Sequence, residues 1–263
     1  LLPLSDDMPL RADGEQVRVS PSRVEAYDRC PLRWLVEASG GTAPRTGRQG
    51  VGSLLHDLAE TAAHEGLDRE GMLRLLEERW PSVDAPDGWS GRRELERARL
   101  MVERLADWLK RPGARELVGV ELDFAVEVGR ALVTGRVDRL ERDERGRLVV
   151  VDLKTGRTPL SAGDVGEHPQ LGTYQLAVRS GAFGAAETPG GASLVQLGHH
   201  RGKGPEQPQP PLEEADVWAD ELLARVADGM AGAVFEARES GACRRCPARA
   251  VCPAHDDGRQ VHP

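Results

Sequence analysis

The stretch Leu148-Val149-Val150-Val151-Asp152-Leu153-Lys154-Thr155-Gly156 decides how this chain is read. A run of branched apolar residues that ends in Thr-Gly reads as a buried strand. At period two, Asp152 and Lys154 project from one face while Val151 and Leu153 project from the other. A charged pair closing an apolar strand is costly unless it is exposed or has chemistry to perform. For an isolated Asp-x-Lys, a strand end with solvated charges is the better reading. The preceding segment changes that balance. Ala131 to Leu140 reads as a second strand carrying Gly135-Arg136-Val137-Asp138, and Asp143-Glu144-Arg145-Gly146 reads as a turn. Antiparallel pairing across that turn brings Asp138 opposite Asp152. Two carboxylates beside a lysine make a site for a hard divalent cation with a positive group next to it. Such a site suits phosphodiester hydrolysis, in which Mg²⁺ or Mn²⁺ neutralises phosphate charge and lowers the pKa of water. Lysine suits the post better than arginine, because its compact ammonium can orient a water and shift its own pKa. Only Lys110, Lys154 and Lys203 are lysines among 35 basic residues, yet one of them stands here.

Working outward, Val118, Val120, Leu122, Phe124, Val126 and Val128 alternate with Glu121, Asp123 and Glu127, a strand with one buried face. Glu121 lies on its polar face and reads as ordinary surface. Residues 168–180 read as a helix, Ala192 to Leu197 as a short strand, and 200–211, rich in Gly, Pro and Gln, as exposed. Leu212 to roughly Ala227 reads as a last amphipathic helix. Upstream, Ser20-Pro21 caps and starts a helix that Pro31 breaks or kinks, followed by a glycine-rich loop from Gly40 to Gly52. A helix with Leu54, Leu55, Leu58 and Ala62 on its apolar face follows. Residues 68–80 and 91–110 continue the helical pattern around a loop at 81–91. Residues 1–18 are an extended lead-in. His64, His199, His200 and His255 read as exposed. The core is therefore α/β: a mixed sheet flanked by helices.

Four cysteines, Cys30, Cys243, Cys246 and Cys252, form one remote thiol and a Cys-x2-Cys-x5-Cys cluster. Three precede a proline, which stiffens the turn and suits thiolates held at fixed angles around a metal. No basic n-region or apolar core opens the chain, so a secreted disulfide framework is the weaker use of them. The spacing leaves zinc and an iron–sulfur cubane both open. Either would tie residue 30 to residues 243–252. Closing so long a loop restricts the unfolded chain by about 5 kcal/mol in the chain-entropy model. The metal would be a structural staple rather than the reaction centre.

The composition of the 263 residues, 30% charged and 39% hydrophobic, fits a folded globular chain, and no run approaches the 18 apolar residues of a membrane helix. The net charge of −8 argues against tight nucleic-acid binding by the chain alone. No initiator Met is present, so the chain reads as part of something longer.

Five segments in order resemble a known family. They are Gly52-Ser53-Leu54-Leu55-His56, Gly135-Arg136-Val137-Asp138, Val151-Asp152-Leu153-Lys154-Thr155-Gly156, Gln170-Leu171-Gly172-Thr173-Tyr174 and the cysteine pattern. The chain resembles the RecB-like branch of the PD-(D/E)xK nucleases, in particular its iron–sulfur-stapled members: AddB-type helicase–nucleases, the actinobacterial AdnAB enzymes and CRISPR-associated RecB-like nucleases. Ser20-Pro21-Ser22 to Cys30-Pro31-Leu32-Arg33-Trp34 is similar to the start of those domains. The resemblance covers residues 19–255, leaving a lead-in at 1–18 and a tail at 256–263. It implies a restriction-endonuclease-like core whose C-terminal cysteine cluster is tied to an N-terminal helix.

By the same resemblance, His56, Asp138, Asp152 and the backbone carbonyl of Leu153 would hold Mg²⁺ or Mn²⁺, and Lys154 would position the attacking water. Gln170 and Tyr174 would support the site or contact the DNA backbone. Cys30, Cys243, Cys246 and Cys252 would hold a [4Fe–4S] cluster, with structural Zn²⁺ as the alternative. Pro-Ala-Arg-Ala stands where the family often has a large aromatic between the last cysteines. The activity implied is metal-dependent DNA cleavage, of single strands, at broken ends, in the cytoplasm. The partners implied are DNA, an upstream helicase motor and a second helicase–nuclease subunit. The alternatives are a free-standing RecB-like exonuclease and a non-catalytic DNA-binding domain of the same fold. No Gly-x-x-x-x-Gly-Lys-Ser/Thr loop occurs, so no ATP hydrolysis is expected of this chain.

Overall fold

The computed structural model describes residues 8–41, 47–158, 160–198 and 205–259. His199 and His200, the ends of the expected lead-in and tail, and part of the expected 40–52 loop lie outside them. Six strands form one mixed sheet: β1 (Val17–Val19), β2 (Glu116–Val128), β3 (Ala131–Arg142), β4 (Leu148–Lys154), β5 (Pro189–Gln196) and β6 (Glu206–Gln209). β2, β3 and β4 are an antiparallel meander; β5 runs parallel to β4, β6 antiparallel to β5, and β1 parallel to the start of β3.

Helices cover both faces. α1 (Pro21–Arg29), α7 (Pro169–Arg179) and α8 (Trp218–Ala231) pack on one, and α3 (Gly47–Glu65), α4 (Arg69–Arg79) and α5 (Trp89–Leu109) on the other. β4 explains its own sequence. Leu148 and Val150 enter the first core and Val151 and Leu153 the second, so a strand buried on both sides needs an unbroken apolar run. The parallel step from β4 to β5 passes through α6 (Ala162–Gly166) and α7, which lays α7 directly over the end of β4.

The helix starts follow local chemistry. The Ser20 hydroxyl accepts the Arg23 N–H with Pro21 at the first helical position, and Asp68 accepts the Gly71 N–H at 2.9 Å to start α4. Pro31 does end α1. Cys30 is extended (φ −164°) and Pro31 begins a second short helix, α2 (Pro31–Ala38). Three expectations shift. The described part of the glycine-rich loop, from Gly47, is already helix, because Gly52 lies where Thr155 approaches: a Cβ there would meet Thr155 Oγ1 at 3.2 Å. Residues 206–209 form an edge strand rather than an exposed loop, with Pro208 tolerated because nothing pairs beyond it. α8 starts at Trp218 instead of Leu212, since Asp216 accepts the Glu213 N–H at 2.8 Å and closes a turn first.

Candidate active site

The ladder between β3 and β4 ends at Arg139 opposite Val151. Beyond it the strands fork, and the next pair in register is Asp138 and Asp152. Asp138 takes over the lost backbone bond: its Oδ2 accepts the Leu153 N–H at 2.6 Å. Its other oxygen lies 3.3 Å from Nδ1 of His56, on α3. Glu121, opposite Asp138 on β2, brings Oε1 to 3.8 Å from the same nitrogen. His56, Glu121 and Asp138 thus place one ligand atom each within 4.8 Å of one another, partly exposed.

The second half of the site is buried. Asp152 is 5% exposed; its Oδ1 accepts from Gln170 Nε2 at 2.7 Å, and Lys154 Nζ lies 2.8 Å from its Oδ2. Lys154 in turn donates to Gln170 Oε1 at 2.8 Å. One buried amide on α7 therefore holds both charged ends of the Asp-x-Lys. Tyr174, one turn on, stands 3.4 Å from Gln170 Nε2 and donates to the Arg136 carbonyl at 3.4 Å, tying α7 to β3. Both side chains are buried.

The charges are strongly coupled. Burial alone would depress the His56 imidazole, but the hydrogen bond and charge of Asp138, with Asp152 and Glu121, raise its pKa to about 9. Burial raises Asp152 to about 6, with Asp138 adding to the effect and Lys154 opposing it. Burial would lower Lys154, yet the Asp152 charge outweighs this and raises it. Both are raised, with opposite consequences for charge: the lysine ammonium gains from the pair, while desolvation still disfavours the more deeply buried carboxylate. At neutral pH the pair is nonetheless ionised. Glu121 is raised by burial and by the Asp138 charge.

Reading Glu121 as ordinary surface is thus corrected: it is 16% exposed and faces His56. The sequence signal was its register opposite Asp138. Its backbone is left-handed (φ +47°), which costs a residue with a Cβ on the order of 1 kcal/mol and recurs at functional sites. The donor set suits a hard divalent ion. One imidazole and two carboxylates converge, and Asp152 Oδ2 is buried beside them without a hydrogen bond, since Lys154 approaches it outside hydrogen-bond geometry.

The model of the PD-(D/E)XK nuclease superfamily matches residues 18–253. The chain belongs to the PD-(D/E)XK nuclease superfamily. Its Asp-x-Lys is Asp152-Leu153-Lys154, and the preceding acid is Asp138, which here follows Val137 in place of the proline in the superfamily's name. No curated protein matches. Among solved structures, SSO0001 is similar at 18% identity and TM-score 0.44, covering 91% of this chain and 87% of that one. A Eubacterium rectale protein provisionally named an exonuclease is similar at 14% identity and TM-score 0.46, covering 95% and 90%.

Away from the nuclease motifs, the C-terminal segment returns to the α1–α2 junction. The Leu32 N–H donates to the Glu236 carbonyl at 3.1 Å, and the Arg238 N–H to Cys30 Sγ at 3.5 Å. Ser240 N–H donates to Cys243 Sγ at 3.2 Å. At that junction Phe235 stacks on Trp34 at 5.9 Å, with Tyr27 edge-on. Among the described residues no three cysteine sulfurs lie within 4.8 Å of one another. A tetrahedral zinc site, with Zn–S of about 2.3 Å, needs sulfurs about 3.8 Å apart. His64 is exposed as expected, whereas His255 is half-buried with its Nε2 enclosed.

Proposed function

We propose that this chain is a divalent-metal-dependent deoxyribonuclease that hydrolyses phosphodiester bonds in single-stranded DNA. The observation that carries the reading is the fork of β3 and β4, which sets the His56–Glu121–Asp138 cluster beside the buried Asp152–Lys154 pair. Asp152 fixes the class more narrowly than charge alone. A buried carboxylate–lysine pair set beside that cluster is costly to fold unless it has work to do, which favours a working site over a DNA-binding domain that keeps only the fold.

His56, Glu121, Asp138, Asp152 and the Leu153 carbonyl would hold Mg²⁺ or Mn²⁺. When bound, the ion supplies a water of lowered pKa and offsets phosphate charge. The chain does the rest. Gln170 locks Asp152 and Lys154 in one orientation, and Tyr174 anchors Gln170 to β3. Lys154, held as an ammonium, orients the attacking water and faces the charge that develops on the phosphate. Cys30, Cys243, Cys246 and Cys252 would hold a [4Fe–4S] staple; the backbone N–H donors on Cys30 and Cys243 suit cluster thiolates. The place of the domain is in a cytoplasmic AdnAB- or AddB-type helicase–nuclease, fed by a motor in the same chain and paired with a second subunit, where broken ends are processed. Its net charge of −8 supports this dependence on a tethered motor.

The test is digestion of a labelled single strand by the purified chain. Cleavage should need Mg²⁺ or Mn²⁺, stop with EDTA and return on adding metal. Metal-independent cleavage, or none under any metal, would overturn the proposal.

A further inference from the structure

A stripe on α5 leads from solvent into the fork. Trp89, Arg93 and Arg97 are spaced by four and share one face of the helix. Trp89 is 65% exposed, unusual for a residue of its size, and the Arg93 guanidinium sits 4.9 Å from its ring centroid. Among the described residues no carboxylate lies within 4.0 Å of Arg93. One turn on, Arg97 donates to the carbonyl of Thr155, the residue after Lys154. Arg157, on the strand exit, and Arg97 both pair with Glu94, each at 3.3 Å. Two guanidinium groups therefore share one carboxylate, with Arg93 a turn away on the same helix, in a chain of net charge −8.

An exposed aromatic beside an arginine that no carboxylate neutralises is the chemistry that holds single-stranded nucleic acid: bases stack on the ring and phosphates meet the cation. A solvated helix face would explain the arginines but not the tryptophan among them. From this juxtaposition we propose that the Trp89–Arg93–Arg97 face of α5, with Arg157, is the track along which a single DNA strand enters the site. The proposal rests on the nuclease reading and deepens it by naming the path the strand takes. Eight residues of helix rise about 12 Å, which spans about three stacked nucleotides. Trp89 thus grips a base a few nucleotides from the phosphate at Lys154. A blunt duplex offers it no unstacked base.

The experiment uses the whole chain with a dT15 oligonucleotide in EDTA, so that binding is read without cleavage, followed by turnover with Mn²⁺. dT15 should quench part of the tryptophan fluorescence, and Trp89→Ala should abolish that part and weaken binding by about five- to one-hundred-fold. Trp89→Phe should recover most of the affinity. Arg93→Gln should reduce the slope of log K against log salt by about 0.7. In turnover, Trp89→Ala should raise KM for the single strand by a larger factor than it lowers kcat. Because the side chain is exposed, circular dichroism should match the wild type. No binding of dT15 by the wild type, or equal binding and KM in Trp89→Ala, overturns the track. Cleavage by the wild type together with an indifferent Trp89→Ala would leave the nuclease reading standing. Trp89-dependent binding without cleavage under any metal would do the reverse.

Discussion

Divalent-metal binding should be coupled to loss of a proton from His56. In the metal-free protein the imidazole has a pKa of about 9, held there by Asp138, Asp152 and Glu121. A metal ligand must be the neutral form. At pH 7 only about 1% of His56 is neutral, so each binding event must expel a proton at a cost of about 2.7 kcal/mol. Asp152, at about 6, is already ionised at this pH. Affinity for Mn²⁺ should therefore rise about tenfold per pH unit from pH 7 and level off near pH 9. Isothermal titration calorimetry in two buffers of different ionisation enthalpy should report close to one proton released at pH 7. His56→Asn should bind more weakly and lose the steep pH dependence. The sign in the metal-free protein is opposite. The raised pKa stabilises the fold below about 6.5, and about 3 kcal/mol of that is lost as pH rises to about 9. Metal affinity that is flat from pH 7 to 9, with no proton released, would refute both the placement of His56 and its ligand role.

Other outcomes follow from the same contacts. Glu141 is fully buried and accepts from Arg139 at 2.6 Å, Arg115 at 2.8 Å and Arg111 at 3.2 Å; Glu141→Gln should cost about 3–5 kcal/mol and lower Tm by about 10 °C, and a loss under about 1 kcal/mol in urea titration would contradict the network. Gln170→Ala should lower kcat by about ten- to a hundredfold with KM for the strand unchanged, since the amide is buried behind Asp152; a KM effect alone would mean that it touches DNA instead. Anaerobically purified protein should show a broad absorbance at about 400 nm and bound iron, both lost in Cys252→Ser, whereas a colourless, zinc-loaded protein would assign the cysteines to zinc.

The central chemistry was open to reading because it is local. Period two put Asp152 and Lys154 on one face, and a four-residue turn put Asp138 opposite. Glu121 escaped because its meaning depends on His56, which comes from a helix sixty-odd residues earlier, and on a left-handed backbone that no pattern announces. The edge strand β6 escaped for another reason. Glu-Gln-Pro-Gln has no apolar alternation; its glutamines are satisfied by other glutamines, Gln209 with Gln175 at 2.8 Å and Gln207 with Gln196 at 2.9 Å. Burial through paired amides leaves no hydrophobic signature. The start of α8 depended on Asp216 closing a turn, a choice that amphipathic spacing cannot make.

The most direct measurement is single-strand cleavage in Mn²⁺ by the wild type and by Asp152→Ala, with circular dichroism confirming that the variant is folded. If the β3–β4 fork is the reaction centre, the variant should lose activity by at least about a thousandfold, since Asp152 would be a metal ligand and is the partner that holds Lys154. A folded Asp152→Ala that cuts as fast as the wild type would show that the chemistry happens elsewhere.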